Sequence, residues 1–472
     1  MASSQRRVEI MILGEIVERF IAESPLSVML RVLLEQSLPA AEVDALFEQQ
    51  ARRQYQRELL FSTVVNLISL VVCGILPSVN AAYQARAKGI GVSIQSVYNK
   101  LNGIEPEIVE ALLRHVVKRV EKLIEHLGGT LPSLLEGYRV KILDGNHLSA
   151  SERRLAVLRS YNSAPLPGHA LVILDPALML AIDVFACEDG HAQERALLSR
   201  VLATVVSEDL WIADRNFCTL GFLFGLHWRG AAFVIRQHGL LPWQALTELV
   251  LVGESETGAV FEQSLQLIFN DTLKVRLRRI VVQLNQPTRD GDSEIALLSN
   301  LPTAKANALQ IAVLYQRRWR IERLFQVLEQ CFRGEINTLA YPRAALFGFV
   351  MALICYNLLA VAQAAMRSVH GADKIEAGIS PYYLADEVRR VYEGMMIAIP
   401  PPQWQPFAQL DLDSTVQFLQ HLAAQMELSK FRSHPRGEKK KVPKPEWQKD
   451  RPHVSTARLL SEAKSKKAKK AP

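Results

Sequence analysis

The chain has 472 residues, 49% hydrophobic and 22% charged, with a formal net charge of +7. That composition is ordinary for a globular protein with a sizeable core, and the length suggests roughly three domains of about 150 residues each. Five scattered cysteines without C-x-x-C spacing argue against a zinc ribbon or a disulfide framework and fit a reducing cytosol.

The charge is unevenly spread. From Lys430 to Pro472 there are 15 Lys and Arg against 4 Asp and Glu, a balance of +11, which leaves −4 for the rest. A basic tail holds a polyanion by displacing its counterions, or simply keeps the chain soluble. The N-terminus is broken by Glu9, Glu15 and Glu18 and has no signal-peptide stretch.

Residues 1–135 read as helical. AAEVDALFEQQARRQYQRELL has apolar positions at helical spacing. Leu59–Leu76 is apolar but interrupted by Ser62, Thr63, Asn66 and Ser69, and is expected as a buried helix rather than a membrane span. Around Gly89 and Gly91 two short helices suggest a helix-turn-helix, with Ser93 capping the second. Gln95, Ser96, Asn99 and Lys100 would then face a DNA groove, where Asn reads adenine and Lys reaches guanine or phosphate. A hairpin in an ordinary helical bundle is the competing reading.

From residue 136 the pattern turns to strands. YRVKILDGNHL ends a strand at Asp144, HALVILDP is a second, and LMLAIDVFAC a third. Ala192–Val205 is an amphipathic helix, and Leu210–Ala213 a short strand followed at once by Asp214. The first three strands suit a meander, with the helix crossing over to a parallel fourth. Residues 225–304 form a β-rich insert, and one long helix is expected from about Lys305 to Arg333. Ala344–Ala362 is a second apolar stretch near spanning length, again expected as a buried helix. A helical region over 371–430 and a disordered basic tail over 431–472 complete the division.

An aspartate at the end of an apolar strand is costly unless paired or bound to a cation. Asp144 and Asp214 both stand there, and neighbouring strands would bring them together. Taken singly, each is also a plausible cap or turn residue. In LYQRRWRIERLFQVLEQ, Tyr315, Arg318 and Glu322 share one helix face, with Leu314, Ile321, Leu324 and Leu328 free to pack on the sheet.

These blocks resemble the bacterial insertion-sequence DDE transposases of insertion sequence family four. The family signature, Tyr, two residues, Arg, three residues, Glu, is matched by Tyr315, Arg318 and Glu322, and the R-W-x-I-E run by Trp319 and Ile321. Asp144 in ILDGNHL and Asp214-Arg215 in WIADRNF match the family's two aspartates, in the same order. The resemblance extends over about residues 55–460. It implies an α/β fold with an RNase H-like catalytic core interrupted by the β-rich insert over 225–304. A helical DNA-binding domain precedes the core; a helical segment and basic tail follow it.

It further implies a transposase that cuts transposon ends and transfers strands in cut-and-paste transposition. Asp144, Asp214 and Glu322 would hold two magnesium ions, with manganese as a substitute, while Tyr315, Arg318 and Arg215 contact DNA. The implied partners are duplex DNA with terminal inverted repeats, a target DNA, and a second copy in the DNA complex. The implied location is the bacterial cytoplasm, at the nucleoid.

One position departs from the signature: its terminal Lys is Glu329 here, and Arg323 or Arg333 on the same helix would have to replace it. The family's insert positions a flipped base on an aromatic, for which Trp228 and Trp243 are available, though both are expected in the core. Asp183, Glu188 and Asp189 are competing acids near the third strand. Two rivals stand beside this reading: another RNase H-like nuclease such as a resolvase, and an inactive domesticated relative that only binds DNA.

Overall fold

A computed structural model describes residues 14–149, 151–152, 154–161, 164–270, 272–288, 291–434 and 453–469. Seven helices come first: α1 (Glu15–Glu23), α2 (Pro25–Ser37), α3 (Ala40–Gln50), α4 (Phe61–Val72), α5 (Val79–Arg86), α6 (Ile94–Gly103) and α7 (Pro106–Leu127). Then follow β1 (Arg139–His147), β2 (Ala164–Leu166), β3 (His169–Asp175), β4 (Leu180–Cys187), α8 (Leu198–Leu202), β5 (Asp209–Ala213), α9 (Leu220–Trp228) and β6 (Ala232–Arg236). The insert contributes β7 (Gln244–Ala245), β8 (Val250–Ser255), β9 (Gly258–Phe269), β10 (Leu273–Leu284) and β11 (Glu294–Ser299). The chain closes with α10 (Ala308–Gln316), α11 (Trp319–Cys331), α12 (Pro342–His370), α13 (Ala372–Gly378), α14 (Pro381–Ala398), α15 (Gln405–Ala408), α16 (Leu412–Ala424), β12 (His453–Ser455) and α17 (Thr456–Ala468).

A ten-stranded sheet runs β4-β3-β1-β5-β6-β11-β10-β9-β7, with β8 beside β9. β1, β3 and β4 pair antiparallel, whereas β5 and β6 run parallel to β1. This is the expected meander followed by a crossover. The sheet separates two apolar cores, because side chains alternate faces along each strand. On one face Val140, Ile142, Leu210 and Ile212 join a core with the N-terminal helices, α10–α12 and the C-terminal helices. On the other, Leu143, Trp211 and Ala213 pack with Leu198, Val201, Phe222 and Phe224.

Several expectations need correction. β6, expected inside the insert, pairs with β5 as part of the central sheet. The insert strands then continue that same sheet through β11 rather than standing apart, because β11 pairs with β6. The helix over 192–205 is shorter, a 3-10 turn (Glu194–Leu197) leading into α8. The long helix from 305 to 333 is two, α10 and α11. Between them the amides of Arg317, Arg318, Arg320 and Ile321 each bond back three residues, not four. Such local tightening within a helical run often marks a functional position. Within the basic tail, residues 435–452 lie outside the described residues. Beyond them, however, β12 pairs in parallel with β2, and α17 follows. Arg458 on α17 bonds Asp189 at 2.7 Å, so this part of the tail is ordered against the core by strand pairing and an ion pair.

Of the two apolar stretches, α12 is the one described helix long and apolar enough to cross a membrane, and its most apolar stretch is entirely buried. Its Asn357 exchanges two hydrogen bonds of 2.9 Å with the backbone of Ala181 on β4, satisfying a polar group inside the core.

Candidate active site

The strand register brings the two aspartates together. Leu143 on β1 pairs in parallel with Ala213 on β5, so the next residues, Asp144 and Asp214, stand side by side where β5 ends. Alternation puts both on the face shared with α11. That helix is held there by the buried Ile321, Leu324 and Leu328, each contributing roughly 1.5–3 kcal/mol. The packing therefore fixes where Glu322 projects. Asp214 precedes a 3-10 turn (Arg215–Phe217), yet its side chain makes no capping bond. The helix-cap reading thus does not account for it.

Arg318 knits the group together. Its Nη1 donates to Asp144 Oδ2 at 2.9 Å and its Nη2 to Glu322 Oε1 at 2.6 Å. The guanidinium is only 14% exposed, and its Nε is buried without a partner. Tyr315 donates its hydroxyl to Asp214 Oδ1 at 3.4 Å. Five signature residues thus form two adjoining sets: Asp144 and Glu322 joined through Arg318, and Asp214 bonded by Tyr315.

Burial pushes the Asp144 carboxyl up to about 6. Arg318 and the Gly145 amide oppose the shift, while Asp214 and Glu194 add to it. Burial works against the Arg318 charge, but Tyr315, Asp144 and Glu322 outweigh it and raise its pKa. Burial likewise raises Tyr315, which stays a neutral hydroxyl.

Among the described residues no three His, Cys, Asp or Glu side chains gather closely enough to hold a metal ion together. In this state the positive charge between Asp144 and Glu322 is the guanidinium. The cluster thus accommodates positive charge, and carboxylate oxygens are the donor type that a hard divalent ion takes.

The other predicted contacts fare unevenly. Arg215 is about half exposed and lies 3.9 Å from Asp292, which Arg236 holds more closely at 2.6 Å. Asn99 is exposed and accepts a bond from Gln95 at 3.0 Å. Lys100 is a correction: it is buried, its Nζ donates to the Tyr55 carbonyl at 3.0 Å, and it sits 4.0 Å over the Phe47 ring. Burial draws its pKa down to about 8. The reason is spacing: Lys100 and Leu101 follow Val97 by three and four residues and share its inward stripe.

Glu329 is exposed and lines a cleft of about 540 Å³ with Asn146, Glu322, Arg333 and Glu335. Neither proposed substitute for the missing Lys is free in that cleft. Arg333 donates Nη1 to the carbonyls of Leu76 and Pro77, and Arg323 lines a different cavity beside Tyr382. Trp228 and Trp243 are not core residues, being 54% and 39% exposed. Asp183 is buried against Arg114 at 2.7 Å on β4, two strands from β1. Glu188 pairs with Arg343, and Asp189 with Arg458.

Residues 138–358 match the transposase DDE domain. The DDE match begins just before β1 and reaches into α12, covering just under half of the chain and all of Asp144, Asp214, Tyr315, Arg318 and Glu322. Among solved structures the chain is similar to a piggyBac transposase in a synaptic complex with hairpin DNA. The likeness is 11% identity and a TM-score of 0.39, over 84% of this chain and 85% of that one. No curated relative matches the sequence. Sequence reasoning passed over one acid beside the DDE cluster, Glu194, whose charge acts on Asp144.

Proposed function

We propose that the protein is a cut-and-paste DDE transposase of insertion sequence family four, cleaving transposon ends and joining them to target DNA. The observation that carries this reading is the pairing of Leu143 with Ala213, which sets Asp144 beside Asp214, with Glu322 tied to Asp144 through Arg318. The DDE-domain match supports it. The strand order β4-β3-β1-β5-β6, with β1, β5 and β6 parallel, supports an RNase H-like core.

Asp144, Asp214 and Glu322 would hold the divalent cations. Bound there, magnesium, or manganese in its place, supplies an activated water and a stabilised leaving oxygen. Arg318 binds a DNA phosphate by its planar fork, which gives the guanidinium an anionic partner outside the carboxylate cluster. Tyr315 offers a neutral hydroxyl to a nearby phosphate oxygen. The buried wall formed by Ile321, Leu324 and Leu328 keeps the Glu322 helix fixed while DNA enters. Partners on this reading are duplex DNA with terminal inverted repeats, a target duplex and a second copy of the chain, in a bacterial cytoplasm.

The test is cleavage of DNA carrying the element's end, with magnesium, by the native chain and by Glu322→Gln. Nicking and joining by the native chain alone support the reading. Nicking without joining supports another RNase H-like nuclease, and binding without cleavage by either protein supports a DNA-binding relative.

A further inference from the structure

Glu194 opens the 3-10 turn before α8 and touches residues that follow both aspartates: Gly145 within β1, which runs on past Asp144 to His147, and Asn216 in the turn after β5. On one side its Oε2 accepts a bond from Nδ2 of Asn216, two residues beyond Asp214. The Asn216 carbonyl is itself held by Arg195 Nε at 2.7 Å. On the other side Glu194 presses on Gly145, the residue after Asp144. A Cβ at Gly145 would lie 1.9 Å from Glu194 Oε1 and 2.5 Å from its carboxyl carbon. Only glycine lets the carboxylate approach the strand so closely. His147 Nδ1 lies 3.6 Å from the same oxygen, and the Glu194 side chain is 14% exposed.

A fourth acid beside Asp144 is unfavourable for the empty fold, since like charges repel at short range. A divalent cation among these acids would offset that repulsion.

We propose that Glu194 is a fourth carboxylate of the DDE site: it fixes the spacing between Asp144 on β1 and Asp214 after β5 and adds its charge to the cation-binding field. It acts as a positioning residue, through Gly145 and Asn216. The proposal rests on the reading of Asp144, Asp214 and Glu322 as cation ligands.

The test is manganese binding to the full chain without DNA, read from the electron-paramagnetic-resonance signal of free Mn²⁺. Four proteins are compared: native, Asp144→Asn, Glu194→Gln and Gly145→Ala. Glu194→Gln keeps an oxygen for Asn216 and removes the charge. Gly145→Ala keeps the charge and displaces the carboxylate. Each is expected to weaken Mn²⁺ binding roughly ten- to a hundredfold, the range seen when residues supporting metal ligands are removed. Melting temperatures within a few degrees of native would show that the fold is kept, which separates positioning from bulk stability. If Asp144→Asn weakens binding while both Glu194→Gln and Gly145→Ala bind as the native chain does, the role of Glu194 is overturned and the cation site stands. If Asp144→Asn binds Mn²⁺ normally, the cation reading fails, and the Glu194 proposal with it.

Discussion

Replacing Asp144 by Asn should make the metal-free protein more stable at neutral pH while abolishing its chemistry. The carboxyl is pushed from 3.8 to about 6, chiefly by burial. A folded pKa above the unfolded value means that the folded chain binds the proton more tightly. The associated stability is present in full below about pH 4, falls as pH rises towards 6, and is gone at pH 7.5. Two pKa units correspond to about 3 kcal/mol at roughly 1.4 kcal/mol each. Asn mimics the protonated acid, so Asp144→Asn should recover up to about 3 kcal/mol at pH 7.5 and almost nothing at pH 4. The side chain is 21% exposed, and solvent screening there puts the gain in the lower half of that range. The assay is urea unfolding in a chelator at both pH values, followed by addition of magnesium. A cation that binds the folded state stabilises it by mass action. Magnesium should therefore raise the native chain's stability and leave that of Asp144→Asn nearly unchanged. An Asn variant no more stable than native at pH 7.5 in chelator would refute the electrostatic reasoning.

Removing the bridging guanidinium should have the opposite sign. Arg318→Gln leaves Asp144 and Glu322 facing each other, and the fold should lose roughly 1–3 kcal/mol in chelator. That is less than the 3–5 of a fully buried pair, because Asp144 and Glu322 keep 21% and 29% exposure. Magnesium should restore part of that loss, as read by the same unfolding curves; no recovery would mean that the two acids do not share a cation. Lys100→Met should leave duplex-DNA affinity and its salt dependence unchanged, whereas a lost phosphate contact lowers the salt slope by about 1. A reduced slope would show that Lys100 leaves its buried seat to meet DNA.

The parts of the site that the sequence made legible are those set by local pattern. Asp144 and Asp214 follow apolar strand cores, and Arg318 and Glu322 share a helix face by their spacing. At Lys100 periodicity overrides charge: three residues after Val97, the lysine falls on the inward stripe of α6. The exposure of Trp228 and Trp243 is not legible from residue type, since tryptophan is highly buried on average. Trp228 instead caps Phe224 at 5.4 Å from the surface, and Trp243 meets Arg279 at 5.1 Å. No local signal marks the split between α10 and α11, where no Gly or Pro interrupts the run. The tightening shows only once Arg318 is seen bridging to Asp144 on β1. The joining of the insert to the main sheet depends on β6 meeting β11, about sixty residues on. Glu194 was invisible for a similar reason: its contacts to Gly145 and Asn216 come from three separate segments. The ordered end of the tail needed β2 as a partner, which lies nearly three hundred residues upstream.

The central claim is that Asp144, Asp214 and Glu322 form one cation site. Its most direct test is a crystal of the full chain with end DNA and Mn²⁺, recorded for anomalous scattering. The account predicts Mn²⁺ peaks coordinated by Asp144, Asp214 and Glu322, with Arg318 turned from the carboxylates onto a phosphate. Peaks bound elsewhere, or Arg318 still bridging Asp144 and Glu322 with DNA and metal present, would contradict it.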